Sequence, residues 1–230
     1  MIQRLALLLV LTGGLAACGS SSHQAAPTTS PTTTAPSAPQ TMTLTVFEVT
    51  DGTLHARAVQ VPKTVAVARA ALQALGLDAP VTIADGTATV GLDSATPEQT
   101  AEIVYTLTQF PTVHRVDVGG RTGLTRADVA SFLPLIMIES PAANAQVSKN
   151  ISVSGTASVF EATLVVELRQ GGQVVAKRTV TATNGAPERG TFSTTLEAPE
   201  AGAATVAAYA PSAADGSPQH EQDVPVTVTP

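Results

Sequence analysis

The sequence predicts two folded modules behind an exported leader: a small α+β domain over residues 42–134, followed by an all-β sandwich over residues 135–230. The first should be an antiparallel-rich sheet with two main helices packed on it. Two Asp-Gly hairpin signals alternate with two stretches of helical period before Pro111. From Leu135 onward the chain changes to short alternating runs punctuated by Gly, Pro and Asn. Residues 1–41, by contrast, hold one short apolar run and then a Pro/Thr/Ser stretch, neither of which can build a core.

Residues 1–17 read as a secretory signal peptide: Arg4, an apolar run from Leu5 to Leu11, then small residues ahead of Cys18. That run is shorter than the roughly 20 residues a membrane-spanning helix needs. Leu15-Ala16-Ala17-Cys18 resembles the bacterial lipobox, which implies a diacylglycerol on the Cys18 thiol and a further acyl chain, with Cys18 becoming the first residue. Cys18 is the only cysteine in the chain, so an internal disulfide has no second partner. No cofactor beyond these lipids is expected. At about 0.8 kcal/mol per buried methylene, several acyl chains hold a protein firmly to a membrane. Residues 18–41 then form a tether that can reach on the order of 70 Å at about 3.1 Å per residue. The expected location is the outer face of the cytoplasmic membrane.

The net charge of -6 gives none of the basic footprint that nucleic acid requires. Tryptophan is absent and aromatics are 3%, which argues against large stacking platforms for sugar rings.

In the first module, Thr43 to Thr50 and Leu54 to Val61 are extended runs around the turn pair Asp51-Gly52. Thr64 is placed as the N-cap of a short helix with Val65, Ala68, Leu72 and Leu75 on one face and Gly76 as its stop. A second hairpin turns at Asp85-Gly86, with Val81, Ile83, Ala88, Val90 and Leu92 directed at a core. Thr96-Pro97-Glu98-Gln99 reads as a capping box, and Ile103, Val104, Leu107 and Phe110 share a face of the helix it opens, which Pro111 ends. Val113 to Val118 then alternates as a strand, with His114 partly buried as a structural residue and Arg115 and Asp117 a solvated pair.

The stretch "AEIVYTLTQFPTVHRVDVGG" resembles the signature of the GerMN domain, the sporulation and spore germination domain of bacterial envelope proteins. The matching positions are Val104, Tyr105, Thr106, Leu107 and Thr108 on the helix and Phe110-Pro111 at its turn. "ADGTATVGLDS" resembles the preceding strand, and "TGLTRADVASFLP" the family's tail, with Thr125 and Asp128 capping a last short helix. The resemblance implies self-association or docking to a membrane partner, since these domains are similar to small ring-building α/β modules. The link after the first helix is shorter than in many members.

Seven strand candidates follow Leu135, at the spacing of an antiparallel sandwich of about 100 residues. Without a cysteine pair or tryptophan the module is immunoglobulin-like only in architecture. Ser140-Pro141, Val153-Ser154-Gly155, Phe160-Glu161-Ala162 and Gly190-Thr191-Phe192 resemble the immunoglobulin-like domain of bacterial spore germination proteins, which often follows a GerMN domain.

Reactive chemistry finds little support. The histidines, His23, His55, His114 and His220, are scattered, and no serine elbow, phosphate loop or metal-ligand spacing is evident. Asp85 and Asp93 read as turn and cap residues, and Glu102 and Glu161 as solvated carboxylates. The expectation is a non-enzymatic docking or assembly module that offers exposed sheet edges to envelope proteins or to itself. The alternative is binding of cell-wall polymer or a small ligand by the sandwich, which would need Phe160, Phe192 and Tyr209 to line one concavity.

Overall fold

The computed structural model describes residues 40–230. The signal peptide, Leu15, Ala16, Ala17, Cys18 and the tether as far as residue 39 lie outside the described residues.

Strands β1 (Thr41–Thr50) and β2 (Thr53–Pro62) pair in unbroken antiparallel register from Thr41↔Pro62 to Thr50↔Thr53. Asp51 and Gly52 between them take positive φ of 51° and 79°, as a two-residue turn requires. Helix α1 (Val67–Ala74) starts later than expected. Thr64 does not cap it: its Oγ1 accepts from the Ala66 amide in a local turn, so Val65 stays outside the helix and is fully exposed. The helix stops at Gly76 as expected, where Leu77 N donates to Leu72 O and Gly76 N to Gln73 O, both at 2.9 Å.

Four short strands form a second sheet in the order β3 (Val81–Ala84), β4 (Thr87–Val90), β5 (Arg115–Val118), β6 (Arg121–Leu124). β4 and β5 run parallel, joined by helix α2 (Pro97–Leu107) as a crossover. The first module thus has a separate hairpin and a mixed sheet rather than one antiparallel sheet. α2 begins with the expected capping box, Thr96 Oγ1 accepting from Gln99 N at 3.2 Å and Gln99 Oε1 from Thr96 N at 3.0 Å.

The hairpin stands apart because α2 occupies the outer edge of β1. Residues 45, 47 and 49 point their backbone groups away from β2. Thr45 O accepts from Gln109 Nε2 (2.8 Å), Phe47 N donates to Thr106 Oγ1 (2.9 Å), and Val49 N donates to Glu102 Oε1 (2.9 Å). Glu102, Thr106 and Gln109 fall on one stripe of the helix and its end. Glu102 is therefore an edge cap rather than a free surface carboxylate, and burial pushes its pKa up despite the bond from Val49. Thr106→Val preserves shape but leaves the buried Phe47 amide unpaired. We expect a loss of about 1–3 kcal/mol in urea unfolding.

His114 is exposed rather than partly buried, and its ring lies against the backbone of Gly86. Asp117 does not pair with Arg115; its carboxylate accepts from Gly123 N at 2.7 Å and so fixes the turn into β6. Ile83 is 42% exposed, against the expectation of a core position. After β6, Thr125 N and Oγ1 both donate to Asp128 Oδ2 at 2.8 Å and open a 3₁₀ helix, Arg126–Phe132.

The second module is a sandwich of a five-stranded and a three-stranded sheet. Its strands are β7 (Ile136–Ser140), β8 (Ala145–Val147), β9 (Asn150–Ala157), β10 (Thr163–Gln170), β11 (Gln173–Thr181), β12 (Gly190–Glu197), β13 (Gly202–Pro211) and β14 (Pro218–Val228). The sheet orders are β11-β10-β13-β14-β8 and β12-β9-β7. Alternating residues such as Ile151, Val153, Leu164, Val166, Phe192 and Val206 close the core between them. β8, parallel to β14, is an eighth strand beyond the seven expected. Phe160–Ala162 forms a 3₁₀ turn that leads into β10.

The core does not divide at residue 134. Met137 and Ala142 belong to the hydrophobic cluster of the first module. Ala143 bridges β2, with Ala58 N donating to Ala143 O at 2.8 Å and Ala143 N to Ala56 O at 2.9 Å. Residues 40–230 fall within one compact unit.

Candidate functional site

The signature residues on α2 face inward. Val104, Tyr105, Thr106 and Leu107 are buried, and Thr108 Oγ1 donates to Val104 O at 2.7 Å while accepting from Arg126 Nε at 2.9 Å. Burial pushes the Tyr105 hydroxyl up to about 12, with Arg126 opposing the shift. Gly155 and Phe192 meet inside the sandwich: a Cβ on Gly155 would lie 1.9 Å from Met137 O and 2.9 Å from the Phe192 ring. Glu161, at φ 54°, and Phe160, 77% exposed, sit on the 3₁₀ turn. Phe160 is outside while Phe192 and Tyr209 are buried on different faces, so the aromatic concavity that a wall-polymer site would need is not formed. His55, His114 and His220 do not converge, and no group of three or more His, Cys, Asp or Glu able to hold a metal occurs among the described residues.

Three constellations join residues distant in the chain. The first is an apolar cleft of about 410 Å³ beside β3, lined by Val65, Val67, Val81, Ile83, Phe110 and Pro111 among others. Val81 and Ile83 form the non-hydrogen-bonded pairs of the β3–β4 hairpin, so their amides and carbonyls point away from β4, and none has a backbone partner among the described residues. A free strand edge thus runs along an apolar groove. The failed cap at Thr64 strands Val65 on one side of it, and the hairpin register puts Ile83 on the other.

The second lies at the junction of the modules. The Arg126 guanidinium sits 4.4 Å from the Tyr105 ring centroid and 5.9 Å from that of Phe47, and its Nη1 donates to Glu139 Oε2 on β7 at 2.9 Å. Glu139 Oε1 is buried and has no partner among the described residues. Arg189 donates to Thr156 Oγ1 at 3.0 Å and to Pro134 O at 2.5 Å, and burial pushes its pKa down.

On the outer face of the five-stranded sheet, buried Glu167 accepts from Tyr209 OH (2.8 Å), Lys177 Nζ (3.0 Å) and Arg169 Nη2 (2.9 Å). Burial pushes the Glu167 carboxyl up, but these three bonds outweigh it and hold it below its usual range. A depressed carboxyl stabilises the fold above the unfolded value and loses that contribution as pH falls through the folded one. Glu167→Gln should flatten the acid limb of a stability–pH curve below about pH 4.

Comparison with known proteins places a family on the second module. Residues 135–217 match the family model of the immunoglobulin-like domain of bacterial spore germination. Among solved structures, the tandem GerMN domains of the sporulation protein GerM from Bacillus subtilis are similar, at 14% identity and a TM-score of 0.33. The likeness covers 81% of this chain and 60% of that one. No curated protein matches the chain.

Proposed function

We propose that this chain, whose second half carries an immunoglobulin-like domain of the spore germination kind, works as a non-enzymatic docking module of the bacterial cell envelope. It would be exported and held to the outer face of the cytoplasmic membrane through lipids on Cys18. The observation that carries the docking role is the β3 edge. Four outward backbone groups on Val81 and Ile83 lie beside the apolar cleft of Val65, Phe110 and Pro111. Exposed edges of this kind are normally blunted by charge, cover or brevity. Among the described residues brevity is the main such device at β3, with Arg69 the one charged residue lining the cleft, and the adjoining groove supplies pockets for alternate side chains of an added strand.

The fold also narrows the choice of edge. β1 is capped by α2, and β2 is bonded by Ala143, so the hairpin offers little. The occupant that fits β3 is an extended segment of an envelope protein with apolar residues at alternate positions. The resemblance of residues 43–134 to the GerMN domain agrees with this reading and suggests sporulation or germination, or envelope signalling, as the process.

The test is photo-crosslinking in cells from a probe at position 65. We expect a discrete protein adduct that disappears when Ile83→Lys is added, with unfolding stability unchanged because residue 83 is exposed. An adduct that persists with Ile83→Lys, or no adduct at all, contradicts the role given to this edge.

A further inference from the structure

A cleft opens at the junction of the two modules. On the outer face of the three-stranded sheet, β9 and β12 pair Ser152 with Thr195, Ser154 with Ser193, and Thr156 with Thr191. These three successive pairs are hydroxyl against hydroxyl, and Asn150 opposite Glu197 ends the row. On the third strand the corresponding face, at Met137 and Glu139, is covered by the first module, so the array is open on β9 and β12 and walled beyond them. The result is a cleft of about 510 Å³ lined by Ser154, Thr156, Thr191 and Ser193, with Arg126 and Glu139 at the junction wall. That size lies within the range of small-molecule sites.

The chemistry of the lining selects the ligand. Serine and threonine hydroxyls each donate and accept, and the array repeats at about 5 Å across the strands and about 7 Å along them. Glu139 Oε1 is the one buried side-chain polar atom without a partner among the described residues. Leaving it unpaired is costly, and a donor hydroxyl in the cleft would satisfy it. Its other oxygen is held by Arg126, and Arg189 beside it is engaged by Thr156 Oγ1 and Pro134 O, so the charged groups of the wall already have partners and the hydroxyls of Ser154 and Ser193 are left for a ligand.

From this geometry we infer that the junction cleft binds a polyhydroxylated ligand of the saccharide class, held by hydrogen bonds to Glu139 and the paired hydroxyls rather than by aromatic stacking. Neighbouring ligand hydroxyls donate to Glu139 Oε1 and exchange bonds with Ser154 and Ser193. The site goes beyond strand docking at β3 and shares no residue with it.

The test is an amide NMR titration of the full chain with a soluble β-1,4-linked N-acetylglucosamine tetramer, with purified wall sacculi in a parallel co-sedimentation assay. Shifts are expected at Ser154, Thr156, Thr191 and Ser193, and the Ser154→Val/Ser193→Val variant should weaken binding at least tenfold. Valine suits an outer strand position, so that variant keeps its fold. Ile83→Lys should leave the titration unchanged, which separates this site from the docking edge. Binding of the tetramer alone assigns the site to free oligosaccharide, and loss of sacculus binding in the same variant assigns it to the wall. Tetramer binding unaffected by the double variant, or no shift at those four amides at millimolar tetramer, overturns the proposal.

Discussion

Gly155→Ala is expected to be the most damaging single methyl group in the protein, costing about 3 kcal/mol or more. The added Cβ would meet Met137 O at 1.9 Å and the Phe192 ring at 2.9 Å. The first contact is backbone, which cannot rotate away. The β7–β9 pairing is already irregular here, its register shifting between Ile138 and Ser140. Met137 also belongs to the first module's core, so the push reaches both halves of the molecule. Urea denaturation of the variant should show a lower midpoint; a loss under about 1 kcal/mol would mean that the two strands are not held as described.

Arg126→Met should cost about 2–3 kcal/mol, chiefly because it leaves the Glu139 carboxylate, one of whose oxygens is already unpaired, without its partner. The pair is partly solvated, at 33% and 20% side-chain exposure, which keeps the figure below that of a fully buried ion pair. The double variant Arg126→Met/Glu139→Met should recover much of the loss, since matched apolar side chains leave no orphaned charge. If the two losses simply add, the pair carries no coupling and the modules are joined by apolar packing and the Ala143 backbone bonds without it.

Local signals in the sequence were legible. Asp51-Gly52 and Asp85-Gly86 made two-residue turns because both positions take positive φ, Thr96 with Gln99 closed a capping box, and Gly76 ended its helix. What failed depended on partners distant in the chain. Glu102, Thr106 and Gln109 cap β1 across separations of 53, 59 and 64 residues, and no periodicity announces that. The same distance effect separates the hairpin from the mixed sheet. Val65 and Ile83 had the spacing of core residues, yet among the described residues Val65 is fully exposed and Ile83 partly so, and this mismatch between pattern and burial marks the candidate docking cleft. The hydroxyl pairs on β9 and β12 were visible as Ser and Thr in alternation, but their register became evident only once the strands were paired. Met137 read as one more sandwich residue and instead points into the neighbouring core.

The most direct test of the docking role is hydrogen exchange at the Val81 and Ile83 amides, measured on the protein alone and in membranes carrying its native partners. We expect fast exchange at both amides in isolation and strong protection in the membrane-associated state, with the Phe47 and Val49 amides, already bonded to α2, protected in both. Fast exchange at Val81 and Ile83 in both states would contradict it.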